Sequence, residues 1–246
     1  MIFELIRSGA NTGKFNMEFD LRLVDRCNDE QAFFRLYYWK PYAISLGAHQ
    51  DENEIDSAKA RSEGIDVVKR PTGGRAILHA EELTYSVAYP LSAGLKPKEL
   101  YEKISRALIR GLKLFDEKLD EAALEGSQPN FGELLKTESG ALCFASTARN
   151  EVKFKGKKLI GSAQRKIAGK ILQHGSILIG AYHRRLPHFL ATDDETKLAL
   201  SRELAERTTE IETILGRKIS YADFEEAIIA GWEEEWGVRF STYEAN

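Results

Sequence analysis

Between Val68 and Pro90 the chain reads "VKRPTGGRAILHAEELTYSVAYP", and this stretch sets the tightest limit on the fold. It turns through Pro71, Thr72, Gly73 and Gly74 between Arg70 and Arg75, then resumes with Leu83, Tyr85, Val87 and Tyr89 at every second position. Period-two alternation of large apolar residues is the pattern of a strand with one buried face. Adjacent glycines are entropically costly, so between strands they mark a tight turn or a place where something comes close to the main chain. An all-helical fold is excluded.

Other strand signals surround this one. "AFFRLYYW", "YAISLG" and "IDVVKR" precede it, the last after a short helix-like segment, "EIDSAKARSEG". Further on, "EVKF" turns at Lys155 and Gly156 into "KKLIGSAQ", and "IAGK" turns into "ILQHGSILIGAY", which predicts an antiparallel meander. Helical spacing runs from Phe15 to about Ala32, through Phe19, Leu23 and Cys27. Tyr101, Ile104, Leu108, Leu112, Phe115 and Leu119, spaced 3, 4, 4, 3 and 4, predict a long amphipathic helix. A last helix starts at the capping pair Ser220 and Asp223, carries Phe224, Ile228 and Trp232 on one face, and stops at Gly237. No repeat or proline- and glycine-rich linker divides the sequence. The expectation is one domain over residues 1–246, α+β (mixed α/β), built on a sheet.

At 246 residues the chain is long enough to bury a real core, and 43% hydrophobic with 30% charged residues is a globular composition. A net charge of −3 argues against a nucleic-acid partner. No apolar run approaches the roughly 18–20 residues of a membrane span, and the N-terminus lacks a signal-peptide pattern. A cytoplasmic protein with no membrane partner is expected. Two cysteines, Cys27 and Cys143, imply no disulfide framework. Without CxxC, HExxH or ligand-spaced histidines, no metal is expected.

Two nucleotide readings fail on the residues. No GxGxxG occurs, and "GKKLIGSA" has P-loop spacing with Ser162 where the phosphate-binding lysine belongs. What remains is a loop whose amides and arginines border an anionic or thin, extended ligand, or a plain tight turn. Cys27 falls in a helical stripe, as a small buried hydrophobe would. Cys143, in "SGALCFAS", lies outside any periodic face and precedes a basic stretch. From Arg149 to Lys170 there are eight cations against one anion, Glu151. A nearby ammonium lowers a thiol pKa and enriches the nucleophilic thiolate. Lys157 and Lys158, adjacent in a strand, point to opposite faces, so one can face a site. Gly161 beyond them permits close approach of a ligand. A surface hairpin of solvated lysines stays open as the alternative.

"KRPTGGRAILH" resembles the RRxxGGGxxxH signature of the lipoate/biotin protein ligase and octanoyltransferase superfamily. "GKKLIGSAQRK" followed by "LQHGSIL" is similar to its lysine-bearing strand and the HG(S/T) strand after it. "NMEFDLRL" and "LGRKISYADFEEAIIAGW" extend the resemblance over nearly the whole chain. It implies a biotinyl/lipoyl-ligase-like catalytic domain, with a mixed or antiparallel sheet flanked by helices. Cys143 before the lysine strand, and "GGR" where the ligases carry "GGG", resemble the cysteine-using octanoyltransferase branch. That branch implies catalytic roles for Cys143 and Lys158. It implies substrate-binding roles for Arg70, Gly73, Gly74, Arg75, His79, Gly161, Ser162, His174 and Gly175. The implied reaction moves an octanoyl group from acyl carrier protein to a lysine of a lipoyl domain of a 2-oxoacid dehydrogenase, or of glycine-cleavage H protein. No cofactor is implied. ATP and Mg enter only if the chain is instead an ATP-dependent lipoate–protein ligase. An octanoyl amidotransferase between lipoyl-bearing proteins, and a silent carrier-binding member, are further alternatives.

Overall fold

The computed structural model describes residues 1–124 and 151–240. Among these, ten strands form two sheets. The large sheet runs in the order β1 (Ile2–Asn11), β2 (Gln31–Trp39), β6 (Glu82–Pro90), β10 (Lys170–Leu178), β9 (Lys157–Ile167), β8 (Val152–Phe154), β7 (Ala122–Leu124). The small one runs β4 (Asp66–Lys69), β3 (Ala43–Leu46), β5 (Ile77–His79). Each sheet holds one parallel pair, β1 with β2 and β3 with β4, and each pair is joined by a crossover helix, α1 (Gly13–Arg26) and α2 (Ser57–Ser62). The mixed sheet flanked by helices agrees with the sequence. Strand β1 and the division into two sheets go beyond the local strand signals.

Helix α1 stops six residues short of the expected end. Cys27 closes it by donating its N–H to Leu23 O, and Asn28 Oδ1 then accepts from the N–H groups of Glu30 and Gln31, turning the chain into β2. The long stripe forms α3 (Pro97–Phe115), but Asp116 is extended and Leu119 reaches the core from a separate 3₁₀ turn. Two shorter helices, α4 (Asp194–Arg207) and α5 (Ile211–Leu215), lead to α6 (Tyr221–Trp236). Its cap is the expected one, with Ser220 Oγ accepting from Asp223 N–H and Gly237 ending it at φ 63°. α3 and α6 pack together over one face of the large sheet, burying Ile104, Leu108, Ile228 and Trp232 against Tyr85 and Val87. The opposite face carries α1 and the small sheet.

Under α1 lies a buried charge cluster. Arg35 and Asp20, both fully buried, pair at 2.7 Å, and Arg35 Nη2 donates to Asn16 Oδ1 at 2.6 Å. Asp20 also accepts from Tyr37 Oη at 3.1 Å and Ser86 Oγ at 2.7 Å. Burial pushes the Asp20 carboxyl up, but the His174 hydrogen bond, the Arg35 charge and Ser86 outweigh it and hold the group below its ordinary range. A depressed carboxyl pKa contributes stability that is present above the unfolded value, about 3.9, and is lost as pH falls through the folded one. Asp20→Asn breaks a buried pair and is expected to cost about 3–5 kcal/mol. Urea unfolding at pH 7 measures that loss, and the acid limb of the variant's stability profile should flatten.

Candidate active site

A narrow cleft opens between the two sheets. Its floor is one row across the large sheet, in which Gly161 lies opposite Ser176, Ser176 opposite Thr84, and Thr84 opposite Tyr37. The neighbouring row adds Ala163 and His174. The roof comes from the small sheet and α1, with Ser45, Ile77, His79 and Met17. On the other face of β10, Gly175 lets β9 and Tyr85 pack closely, since a Cβ there would lie 2.5 Å from Gly161 O and 2.7 Å from Ser162 Oγ.

His79 is fixed on three sides. Its Nε2 is 2.7 Å from Ser45 Oγ, its Nδ1 is 2.9 Å from Glu82 Oε1, and its ring stacks on Trp39 at 4.0 Å. Glu82 Oε1 also accepts from Thr84 Oγ1 at 2.6 Å and Ser176 Oγ at 2.7 Å, while Trp39 Nε1 donates to Thr84 Oγ1 at 2.7 Å. The order serine, histidine, glutamate has the look of a hydrolase triad. Ser45, however, is fully buried and its Oγ also accepts from Arg70 at 3.1 Å, so the chain of bonds locks the ring in place.

The glycine segment is pinned from several directions. Arg70 folds back along its own loop, donating to Gly73 O at 2.9 Å, Arg75 O at 2.7 Å and Ser45 O at 2.8 Å. Arg75 turns away to Glu54 at 3.1 Å. Gly74 adopts φ 93°, and its carbonyl leaves no room for a side chain at Gly47, whose Cβ would lie 1.9 Å away. Gly73, Gly74 and Arg75 therefore shape the loop from outside the cleft lining, while Arg70 and His79 belong to the lining.

Thr72 couples this loop to the sheet. Its Oγ1 lies 2.6 Å from His174 Nε2, and His174 Nδ1 lies 3.2 Å from Asp20 Oδ2. Burial lowers the His174 pKa more than Asp20 raises it, so the ring is neutral at pH 7, with Nδ1–H donating to Asp20 and Nε2 accepting from Thr72. A lowered histidine pKa contributes stability above the unfolded value, about 6.5, that is lost as pH falls through the folded one. Thr72→Val leaves Nε2 without its donor and is expected to lower kcat/KM about tenfold, with Thr72→Ser restoring it. Thermal unfolding of Thr72→Val should fall by the few degrees that about 1–3 kcal/mol implies, with Thr72→Ser near wild type.

Lys158 and Lys157 diverge as the alternation predicts. Lys157 is exposed and reaches Ala205 O at 3.4 Å. Lys158 is 1% exposed and pairs with Glu151 Oε2 at 3.0 Å. Glu151 Oε1 in turn accepts from the Ser162 N–H at 3.3 Å, which ties the pair to the cleft lining. Lys158 O also accepts from Thr209 N–H at 3.0 Å. Cys143 and Arg149 lie outside the described residues. Much of the basic hairpin has structural partners: Lys155 pairs with Glu121, Lys170 donates to Val24 O and Asp25 O at the end of α1, and Arg165 donates to Pro71 O. Of the expected substrate-binding residues, the cleft brings together Arg70, His79, Gly161, Ser162, His174 and Gly175. Sequence reasoning missed Trp39, Thr84 and Ser176 on the large sheet and Ser45 on the small one, whose meeting in one cleft becomes visible only once strand register is known.

The cleft lies between the two sheets, and the buried Lys158 is tied to its lining through Glu151. Residues 12–233 match the family model described as Lipoyl protein ligase A/B catalytic domain, and the chain belongs to that family. It is 36% identical over 247 residues to Octanoyltransferase LipM of Kyrpidia tusciae, covering 96% of this chain and 88% of that one. Octanoyltransferase LipM of Clostridioides difficile is 34% identical, covering 97% of this chain and 88% of its own. In fold the chain resembles a bi-partite lipoate protein ligase from Thermoplasma acidophilum, at TM-score 0.73 and 18% identity, covering 98% and 86% of the two chains. A lipoate-protein ligase A bound with ATP gives TM-score 0.74 at 18% identity, covering 98% and 88%.

Proposed function

We propose that this protein is an octanoyltransferase of protein lipoylation, working in the cytoplasm by double displacement. The Cys143 thiolate attacks the carbonyl carbon of an octanoyl thioester on acyl carrier protein. The C–S bond to the carrier breaks, and the carrier thiolate leaves and takes up a proton. The ε-amine of a lysine on a lipoyl domain, or on glycine-cleavage H protein, then attacks the acyl-cysteine. An amide forms, the Cys143 thiolate is released, and the amine gives up its proton. Both steps pass through an oxyanion, which the Lys158 ammonium suits by charge. The cleft suits the acyl chain, with Gly161, Ser162, His174 and Gly175 along its floor and rim and Arg70 and His79 opposite.

The observation that carries this reading is the slot itself: narrow, set between two sheets, and tied through Glu151 to a buried lysine in a chain whose relatives bear the octanoyltransferase name. The reaction needs neither ATP nor a metal. Mixing the protein with octanoyl-loaded acyl carrier protein and a lipoyl domain, without ATP, should give an octanoylated lipoyl domain by mass spectrometry. Strict dependence on ATP and free acid, with no transfer from the carrier, would place the protein with the ligases instead. Transfer only from an octanoylated lipoyl-bearing protein would make it an amidotransferase.

A further inference from the structure

We infer that a second pocket, in the fork where β2 and β6 part, binds a small organic cation with an ammonium head. The pocket is distinct from the cleft, with which it shares Trp39 as a wall, and it stands apart from the acyl-transfer reading. The ladder between β2 and β6 ends at Tyr37 and Thr84. Beyond that pair β2 stays with β1 through Trp39, and β6 stays with β10 through Glu82. A gap is left at this end of the large sheet, with Tyr38 and Trp39 from β2 on one side and Glu82 and the preceding Glu81 on the other. Tyr42 and Tyr221 extend the lining around a volume of about 370 Å³, within the roughly 300–1,000 Å³ of small-molecule sites.

The lining is aromatic and acidic, and its described residues include no cation. Tyr38 and Tyr221 pack at 5.6 Å with 56° between their planes, and Tyr42 packs on Tyr182 at 5.0 Å. Tyr38 Oη donates to Glu225 Oε2 at 2.7 Å, which holds that ring in place. An aromatic ring attracts a cation over its face, and several rings around one space are the usual receptor for an ammonium head.

The acidic side is built into the backbone. Glu81 takes a left-handed φ of 49°, uncommon outside glycine, and its carbonyl accepts from Ile179 N–H at 3.0 Å and Gly180 N–H at 2.8 Å. Its Oε2 accepts from Tyr182 N–H at 3.1 Å. Residues held in such conformations cluster at ligand sites. Glu82 is 3% exposed, and its Oε1 takes the donors of His79, Thr84 and Ser176. Its Oε2 is buried with no hydrogen-bond partner among the described residues. A buried carboxylate oxygen in that state calls for a donor or a cation. Lys218, whose charge reaches Glu81 and Tyr42, is exposed and held by Glu212 Oε2 at 2.6 Å. The phenols register the same field. Burial first, then Glu81 for Tyr42, and Glu212 and Glu81 for Tyr221, push both above the ordinary tyrosine value.

Calorimetric titration of the full chain with tetramethylammonium chloride should give saturable binding, and tert-butanol, its neutral counterpart in shape, should give none. Glu81→Gln removes the charge but keeps an acceptor for Tyr182 N–H, and affinity should fall about fivefold, the upper end for a part-exposed charge pair. Tyr42→Leu removes one ring and should weaken binding by a similar factor, whereas Tyr42→Phe keeps the ring and should bind as the wild type does. Glu81→Gln and Tyr42→Phe should unfold close to the wild type, so a loss in the first reads binding and not folding. Trimethyllysine blocked at both ends separates two sources of the same head. Tighter binding than tetramethylammonium points to a side chain of another protein, equal or weaker binding to a free amine, and either bears out the site. No saturable binding of tetramethylammonium, equal affinity for tert-butanol, or an affinity that Glu81→Gln leaves unchanged would overturn it. Equal losses in Tyr42→Leu and Tyr42→Phe would also overturn it, because the ring would then not be the contact.

Discussion

Cys143→Ala is expected to eliminate the octanoyl-enzyme and to lower transfer by at least about 10⁴-fold, the scale on which loss of a catalytic nucleophile is felt. With octanoyl-loaded acyl carrier protein, the unsubstituted enzyme should acquire one octanoyl adduct at Cys143 that hydroxylamine removes. Cys27 is the internal comparison. It is 1% exposed, sits among Leu23, Val24, Phe33 and Leu172, and burial pushes its thiol up to about 11. At neutral pH it is a protonated thiol in a hydrocarbon setting and a poor nucleophile. Cys27→Ala should keep both adduct and turnover, at about 1 kcal/mol of stability for the lost packing. An adduct on Cys27, or full activity in Cys143→Ala, would end the double-displacement mechanism.

The second large effect belongs to Lys158. Lys158→Ala should lower transfer by about 10²–10³-fold, the usual loss when a donor to an oxyanion is removed. Lys157→Ala should do little, because Lys157 is exposed and its ammonium extends away toward Ala205 O at 3.4 Å. Breaking a buried ion pair also costs stability, about 3 kcal/mol, so the single variant confounds chemistry with folding. Lys158→Met combined with Glu151→Gln removes both charges of the 3.0 Å pair and should unfold close to wild type while remaining inactive. The alkylation rate of Cys143 against pH should give a pKa below the reference of about 8.5 in the wild type and a higher one in the double variant. Equal alkylation profiles would mean that Lys158 does not act on the thiol.

Features that depend on neighbours along the chain are legible in the sequence itself. The Ser220 cap, the Gly237 stop and the turns at Lys155 to Gly156 and Ala168 to Gly169 follow from local chemistry, and all appear as expected. The opposite exposure of Lys157 and Lys158 follows from the two-residue period of a strand. The glycine motif located the loop, but its charges could not be assigned from order alone. Arg70 and Arg75 look like ligand-facing cations in a sequence, yet three carbonyls and Glu54 occupy them. Register was the missing quantity. Tyr37, Thr84, Ser176 and Gly161 come from segments far apart in the chain and meet only because four strands align. The Asp20, His174 and Thr72 chain is hidden for the same reason, with one member on a helix, one on a strand and one in a loop.

The cross-strand row has a consequence for how this architecture diversifies. Each of its residues stands on a different strand, and its sequence neighbours point to the opposite face. A point substitution in the row therefore alters the cleft at one depth, leaving the helix-facing core untouched. An insertion or deletion in any of these strands would instead flip every following side chain and destroy both faces together. Descendants of this chain can explore new ligands by single-letter drift at four positions, while length changes within the strands are closed to them.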